Sequence, residues 1–450
     1  MAKQRTSWRC QQCGYSAPKW LGRCPDCGEY ATFVEEAVAV ASAAETHAAA
    51  RTPVALGDVV ASAAQRTPTG IPEFDRVLGG GLVRGSLVLV AGEPGIGKST
   101  LLLQAAGALG DRGSRVLYVC GEESAEQVKL RAQRIGASDG ISLLPETDIA
   151  TVEATALAER PALLIVDSIQ TMADRELSGV PGSVGQVRAC AARLMRIAKE
   201  EGVTVLLVGH VTKEGVIAGP RVLEHLVDTV ISFEGDRDHT LRIVRATKNR
   251  FGSVSEIGIF EMEEEGLKAV GQPSGALLAG RTEDVAGSCV MVAVEGSRPI
   301  LVEVQALVTP SYLQMPRRLA TGIDTARVLQ VLAVLERRAG LAFGPHDVYV
   351  SVAGGIRISE PGIDLPLALA LASARTDRPV PSGTVAFGEL GLTGELRGAR
   401  QADTRLREAA RLGFTMAILA PGRVASVTDG ISVAQPRLIA DALVGAGVRG

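Results

Sequence analysis

The chain has 450 residues, of which 46% are hydrophobic and 22% charged, a globular balance that exceeds one ordinary domain and suggests two or three. A net charge of -3 excludes a uniformly basic nucleic-acid binder, so any DNA-binding face must come from local clusters of arginine and lysine. No apolar run reaches membrane-spanning length and no signal-peptide pattern opens the chain, which points to a cytoplasmic protein with no membrane partner.

In chain order, the first feature is a metal signal. Four of the seven cysteines, Cys10, Cys13, Cys24 and Cys27, form C-x2-C-x10-C-x2-C. Each C-x2-C pair turns two thiolates toward one point, and two pairs complete a tetrahedron for zinc with no open coordination position, so the site is structural. Gly14 and Gly28 follow the second cysteine of each pair, where such turns favour positive φ. Trp8, Trp20, Lys19 and Arg23 could form a recognition surface or could simply pack the finger. An alanine-rich stretch, Ala37–Ala64, follows and reads as a linker. Cys120, Cys190 and Cys289 are isolated in apolar surroundings, which fits a reduced compartment.

From Thr69 to about Glu264, apolar strands alternate with amphipathic helices. Strands are expected at Ser86–Ala91, Arg115–Cys120, Ala162–Val166, Val203–Val208, Val227–Phe233 and Thr240–Ala246. The first four are near-continuous aliphatic runs, as in strands covered on both faces, and the alternation argues for a mostly parallel sheet. A helix is expected over Ser183–Glu200, with Ser183 and Gln186 as a capping box.

The segment Gly92, Glu93, Pro94, Gly95, Ile96, Gly97, Lys98, Ser99 matches G-x4-G-K-[ST] between an apolar strand and the helix Thr100–Ala108. Backbone N–H groups of such a loop wrap the phosphates of ATP, with the helix dipole behind them. Lys98 would reach the β- and γ-phosphates and Ser99 would bind Mg²⁺. Leu163–Asp167 is an aliphatic strand ending in a carboxylate, so Asp167 would hold the magnesium ion through water. Hydrolysis needs a carboxylate to orient water; Glu122 and Glu123 follow the strand Arg115–Cys120, with Glu123 slightly favoured. His210 would be a γ-phosphate sensor or merely a polar cap on the sheet.

After Gly266 the pattern becomes that of a separate α+β domain. Val290–Val294 and Ile300–Val308 read as a hairpin around Gly296, followed by a helix at Ile323–Arg338, a strand at Asp347–Val352, and helices at Leu365–Ala374 and Ala402–Leu412.

Thr69-Gly70-Ile71-Pro72, Asp75 to Leu82 and Gly85-Ser86, running into the phosphate loop, resemble the entry segment of the RecA/KaiC superfamily. The four-cysteine finger ahead of that core and Lys248-Asn249-Arg250-Phe251-Gly252, a KNRFG signature, resemble the bacterial RadA (Sms) family, and the C-terminal domain resembles the Lon protease domain. The resemblance implies an α/β architecture in which a RecA-like P-loop ATPase core (65–268) lies between a C4 zinc finger (1–33) with its linker (34–64) and a Lon protease-like domain of the ribosomal S5 domain 2 type (269–450). It implies a hexameric ring on single-stranded DNA, working beside RecA in homologous recombination and repair by branch migration of branched DNA. A KaiC-like regulatory ATPase without translocation is the alternative.

Lys248 and Arg250 then have three readings: cations serving a neighbouring subunit's nucleotide, contacts to DNA phosphates with Phe251 stacking on a base, or a solvated basic turn. In the Lon-like domain, Asp403 falls where the catalytic lysine belongs and the serine position falls near Ile363, so no peptidase chemistry is expected. Arg397, Arg400, Arg405, Arg407 and Arg411 there would either contact DNA or only solubilise the surface.

Overall fold

The computed structural model describes residues 6–10, 15–26, 28–37, 56, 66–137, 140–210, 222–235, 241–422 and 430–449. It divides into two compact units, Met1–Glu234 with Arg242–Ala269, and Gly235–Leu241 with Val270–Gly450.

The N-terminal segment is a small antiparallel sheet of β1 (Thr6–Cys10), β2 (Ser16–Ala17) and β3 (Phe33–Ala37) in the order β2-β1-β3. Among the described residues its core is Cys10, Ala17, Cys24 and Phe33, with Trp8 and Leu21 packed against it, while Trp20 is exposed. So few apolar groups do not sustain a fold without a further staple.

The first unit continues through β4 (Arg66–Thr67), α1 (Pro72–Leu78), β5 (Leu82–Val83), β6 (Leu87–Gly92), α2 (Lys98–Gly110), β7 (Val116–Cys120), α3 (Ala125–Arg134), β8 (Ile141–Leu144), α4 (Ile149–Glu159), β9 (Leu163–Asp167), α5 (Val184–Glu201), β10 (Thr204–His210), α6 (Val222–Leu226), β11 (Thr229–Glu234), β12 (Leu241–Asn249), β13 (Ile257–Glu263) and β14 (Gly266–Ala269). Nine strands form one sheet in the order β14-β13-β12-β11-β6-β10-β9-β7-β8. The strands from β11 to β8 run parallel, and β12 to β14 extend the sheet antiparallel.

Strand β6 explains the aliphatic runs. Val88 and Val90 enter the core shared with α2, whereas Leu87, Leu89 and Ala91 enter the opposite core with α4 and α5. With both faces covered, neither parity of position is free to be polar. The loops that follow β6, β7 and β9 leave the C-terminal edge of the parallel sheet, where β10 also ends at His210 and where open α/β sheets bind ligands.

The expected capping box on α5 does not form. Ser183 is its N-cap but makes no cap hydrogen bond, and Gln186 instead accepts from the Asp174 N–H at 2.7 Å and donates to the Asp174 and Leu177 carbonyls. Gln186 thus fixes the loop entering the helix. A true capping box occurs on α3, between Ser124 and Gln127.

The second unit contains α7 (Pro273–Leu278), β15 (Ser288–Glu295), β16 (Arg298–Pro310), β17 (Arg318–Thr321), α8 (Thr325–Ala339), β18 (His346–Val352), α9 (Asp364–Thr376), β19 (Thr384–Phe387), β20 (Glu389–Leu390), β21 (Leu396–Arg397), α10 (Ala402–Arg411), β22 (Met416–Leu419), β23 (Ser432–Ala434) and α11 (Ile439–Gly445). Its mixed seven-stranded sheet has the order β17-β18-β16-β15-β19-β22-β23. The hairpin β15–β16 turns at Gly296, whose φ of 64° is left-handed. Among the described residues no helix is long and apolar enough to cross a membrane.

Candidate active site

The phosphate loop is built by glycines with different duties. A Cβ on Gly92 would meet the Phe233 Cβ at 2.8 Å, and one on Gly97 would meet the Met262 Cε at 2.7 Å and the Leu267 Cδ1 at 3.1 Å. Gly95, with φ of 78°, faces open space. Gly97 is also the N-cap of α2 and supplies no side-chain cap, and no acidic residue occupies the first turn. The first N–H groups of a thirteen-residue helix are therefore aimed out of the loop without a side-chain acceptor, a cradle that fits a phosphate chain.

Lys98 is buried, and its ammonium donates to the carbonyls of Gly92 and Glu93, both at 2.9 Å. Burial pushes its pKa down to about 8, against the opposing pull of Asp167, Glu122 and Glu93. Register brings the end of β9 beside the end of β7, pairing Asp167 with Cys120. Asp167 accepts from the Tyr118 hydroxyl at 2.5 Å and from the Ser99 side chain. Burial raises its pKa, and those two hydrogen bonds hold it down. Ser99 and Asp167, distant in sequence, thus meet at one point as a magnesium site requires.

The two glutamates after β7 diverge. Glu122 accepts from Ser168 and lies 2.8 Å from His210 Nε2; the other ring nitrogen of His210 is 3.3 Å from the Lys98 Nζ. The histidine contact, with Ser168 and Lys98 behind it, lowers the Glu122 pKa, so this carboxylate is ionised in the site. Glu123, the one favoured from sequence, is instead ion-paired with Arg131 of α3. Neighbouring residues in a loop point apart, and only Glu122 joins Lys98 and His210. Tyr118 and Ser168 were not anticipated, because neither type carries a spacing signal.

Lys248 is the penultimate residue of β12 rather than beyond the strand, and Arg250 follows the strand's end. Lys248 donates to the carbonyls of Glu224 and Val227, the latter at 2.8 Å. Burial, then the neighbouring Arg250 charge, lowers its pKa. Arg250 lies 3.5 Å from Asp228 and its side chain is 56% exposed. The register of β11 on β6 sets Thr229 beside Val88, and Asp228 bonds to Leu87 at the start of β6. Gly92 ends that strand, so the KNRFG turn and the chain's own phosphate loop are about 16 Å apart at ~3.3 Å per residue.

In the finger, the Cys10 and Cys24 backbone N–H groups donate to the carbonyls of Tyr15 and Glu29, at 2.9 and 2.8 Å. Both bonds span the same separation, from residue i to i+5, and Gly28 has φ of 78°. Cys10 and Cys24 are buried, a donor pair that fits a tetrahedral thiolate site. Cys13, Cys27 and Gly14 lie outside the described residues.

In the second unit Ile363 is fully buried and Asp403 lies in the first turn of α10. Arg405, expected as surface charge, is 1% exposed. It forms a two-pronged bridge to Glu360 at 2.6 and 3.0 Å and stacks on Phe387. Arg411 and Arg397 pair with Glu408 and Glu395. The DNA-facing reading of Arg405 is therefore corrected: its charge is spent inside the domain.

The fold and this geometry define a RecA-like P-loop ATPase with two appended domains. Residues 50–216 match the AAA domain family, 8–35 the rubredoxin metal binding domain, and 320–422 the ChlI subunit of Mg-chelatase. The DNA repair protein RadA of Bacillus subtilis is 48% identical over 98% of this chain and 99% of its own. That of Halalkalibacterium halodurans is 49% identical over 93% of each. A solved structure, the KaiC-like protein PH0186 of Pyrococcus horikoshii, aligns at TM-score 0.39 and 23% identity over 46% of this chain and 99% of its own, too slight a likeness to weigh. The chain belongs to the RadA family.

Proposed function

We propose that the protein is a DNA-dependent ATPase of homologous recombination and DNA repair, a hexameric ring that translocates on single-stranded DNA and drives branch migration beside RecA. Lys98 neutralises the β- and γ-phosphates of ATP, Ser99 and Asp167 hold Mg²⁺, and Glu122, oriented by Ser168 and His210, directs the attacking water. Bound magnesium supplies charge neutralisation at the transferring phosphoryl group. Cys10, Cys13, Cys24 and Cys27 hold a structural zinc. The Lon-like domain has no peptidase role.

The observation that carries this reading is the strand register. The KNRFG turn sits about 16 Å from the phosphate loop of its own chain, at the other end of β6 and at ~3.3 Å per residue. That separation supports a role for Arg250 at a neighbour's nucleotide. A cation stabilising charge that develops only in the transition state contributes to hydrolysis and not to binding.

The test is Arg250→Ala, which should retain ATP binding and lose hydrolysis by about 10³–10⁵. Mixing Arg250→Ala subunits with Lys98→Ala subunits should restore active interfaces, since an intact Arg250 can then face an intact loop. No rescue at any ratio, or a loss confined to the DNA-stimulated increment, rejects the trans arrangement. Turnover without any response to single-stranded DNA would favour a regulatory ATPase instead.

A further inference from the structure

We propose that Asp228 and Lys199 are the positioning pair that holds Arg250 oriented yet releasable toward a neighbouring subunit's nucleotide, an inference that rests on the trans reading above. Asp228 joins α6 to β11 and is 3% exposed. Its backbone N–H donates to the Leu87 carbonyl at 2.9 Å, and its Oδ2 accepts from the Leu87 N–H at 3.0 Å. That exchange clamps the residue to the start of β6. A neutral asparagine could accept the same hydrogen bond, so the strand contact does not require a charge.

The charge has two other partners. Lys199 of α5 reaches Oδ2 at 2.6 Å, and the Arg250 guanidinium faces Oδ1 at 3.5 Å. The Arg250 backbone N–H also donates to the Asp228 carbonyl at 3.1 Å, fixing the turn. Lys199 lies 5.9 Å from the centre of the Phe251 ring, and Arg66 bonds to the Phe251 carbonyl, so the whole turn is braced around the aspartate. The lysine takes the short contact and the arginine the long one. Arg250 is thereby aimed without being neutralised, and more than half its side chain stays in solvent. A nearly buried carboxylate carrying two cations is costly to keep for packing alone, whereas preorientation of a catalytic cation is worth its cost in rate.

Asp228→Asn should bind ATP normally and lose hydrolysis by about 10²-fold, the scale set by misplacing a reacting group by ~1 Å. The decisive readout is the partner that rescues it in mixed oligomers. A positioning role places the defect with Arg250→Ala: Lys98→Ala subunits rescue Asp228→Asn, and Arg250→Ala subunits do not. A merely structural role, disturbing β6 and the chain's own loop, gives the reverse and overturns the proposal. Lys199→Met, at a half-exposed position, keeps the fold if Asp228→Asn does not. With the carboxylate left to Arg250 alone, it should lose hydrolysis and show the same rescue pattern; normal turnover in Lys199→Met overturns the proposal. If Arg250→Ala and Lys98→Ala fail to rescue each other, the trans reading itself falls. If they succeed while Asp228→Asn with Lys98→Ala fails, only this inference falls.

Discussion

Glu122 and Glu123 are adjacent in sequence and separated in chemistry. Glu122→Gln should lower hydrolysis by about 10²–10⁴, the usual worth of a positioned acid or base, while Glu123→Gln should cost little beyond its pairing with Arg131. Steady-state ATPase rates on the two variants decide it, and equal losses would refute the assignment. Lys98→Ala should abolish hydrolysis, and near wild-type turnover in that variant would remove the loop from the mechanism. The phosphate loop was legible because its residues are contiguous and their spacing is the signal. The choice between the glutamates was not, because it rests on Ser168 just after β9, on His210 at the end of β10 and on Arg131 from α3.

Helix α10 shows the same limit at the level of elements. Its five-arginine neighbourhood read as a cationic face, yet Arg405 turns inward to a glutamate forty-five positions earlier in the chain. Removing one partner of a buried pair strands the other, so Arg405→Ala should lower stability by about 3–5 kcal/mol. Arg407→Ala, exposed on the same helix, should stay within about 0.5 kcal/mol. Urea unfolding of both variants checks this; unchanged stability for Arg405→Ala would show that the bridge is dispensable. The alternation of strands and helices was readable because β6, β7, β9 and β10 are near-continuous buried apolar runs. The antiparallel extension was less so, since β13 mixes glutamates, and β14 a lysine, with apolar residues. The finger gives a parallel test. Apparent zinc binding in such domains amounts to about 10–16 kcal/mol. Cys24→Ala should therefore release zinc and unfold that segment while the ATPase core keeps its structure, as metal analysis with circular dichroism would report. Intact protein free of zinc would defeat the assignment.

For the molecule as a whole, the Lon-like unit should contribute no proteolysis. Ile363, which is buried, and Asp403, in the first turn of α10, are the residues that the sequence comparison sets near the serine and lysine positions, and neither offers the nucleophile or the amine base. Incubation with unfolded protein substrates and any nucleotide should leave them intact, and ATP-dependent cleavage that requires a serine within residues 351–375 would reverse this view. One contact in the ATPase unit has a mechanical consequence. Gly97, at the mouth of the phosphate loop, is closed over by Met262 and Leu267 of β13 and β14. Strand β13 begins a few residues past the KNRFG turn, so one short stretch of chain joins that turn to the side chains closing over Gly97. On the trans reading proposed above, a shift of Arg250 would be passed along this stretch to the chain's own phosphate loop, so that the firing of one seat would set the grip of the next.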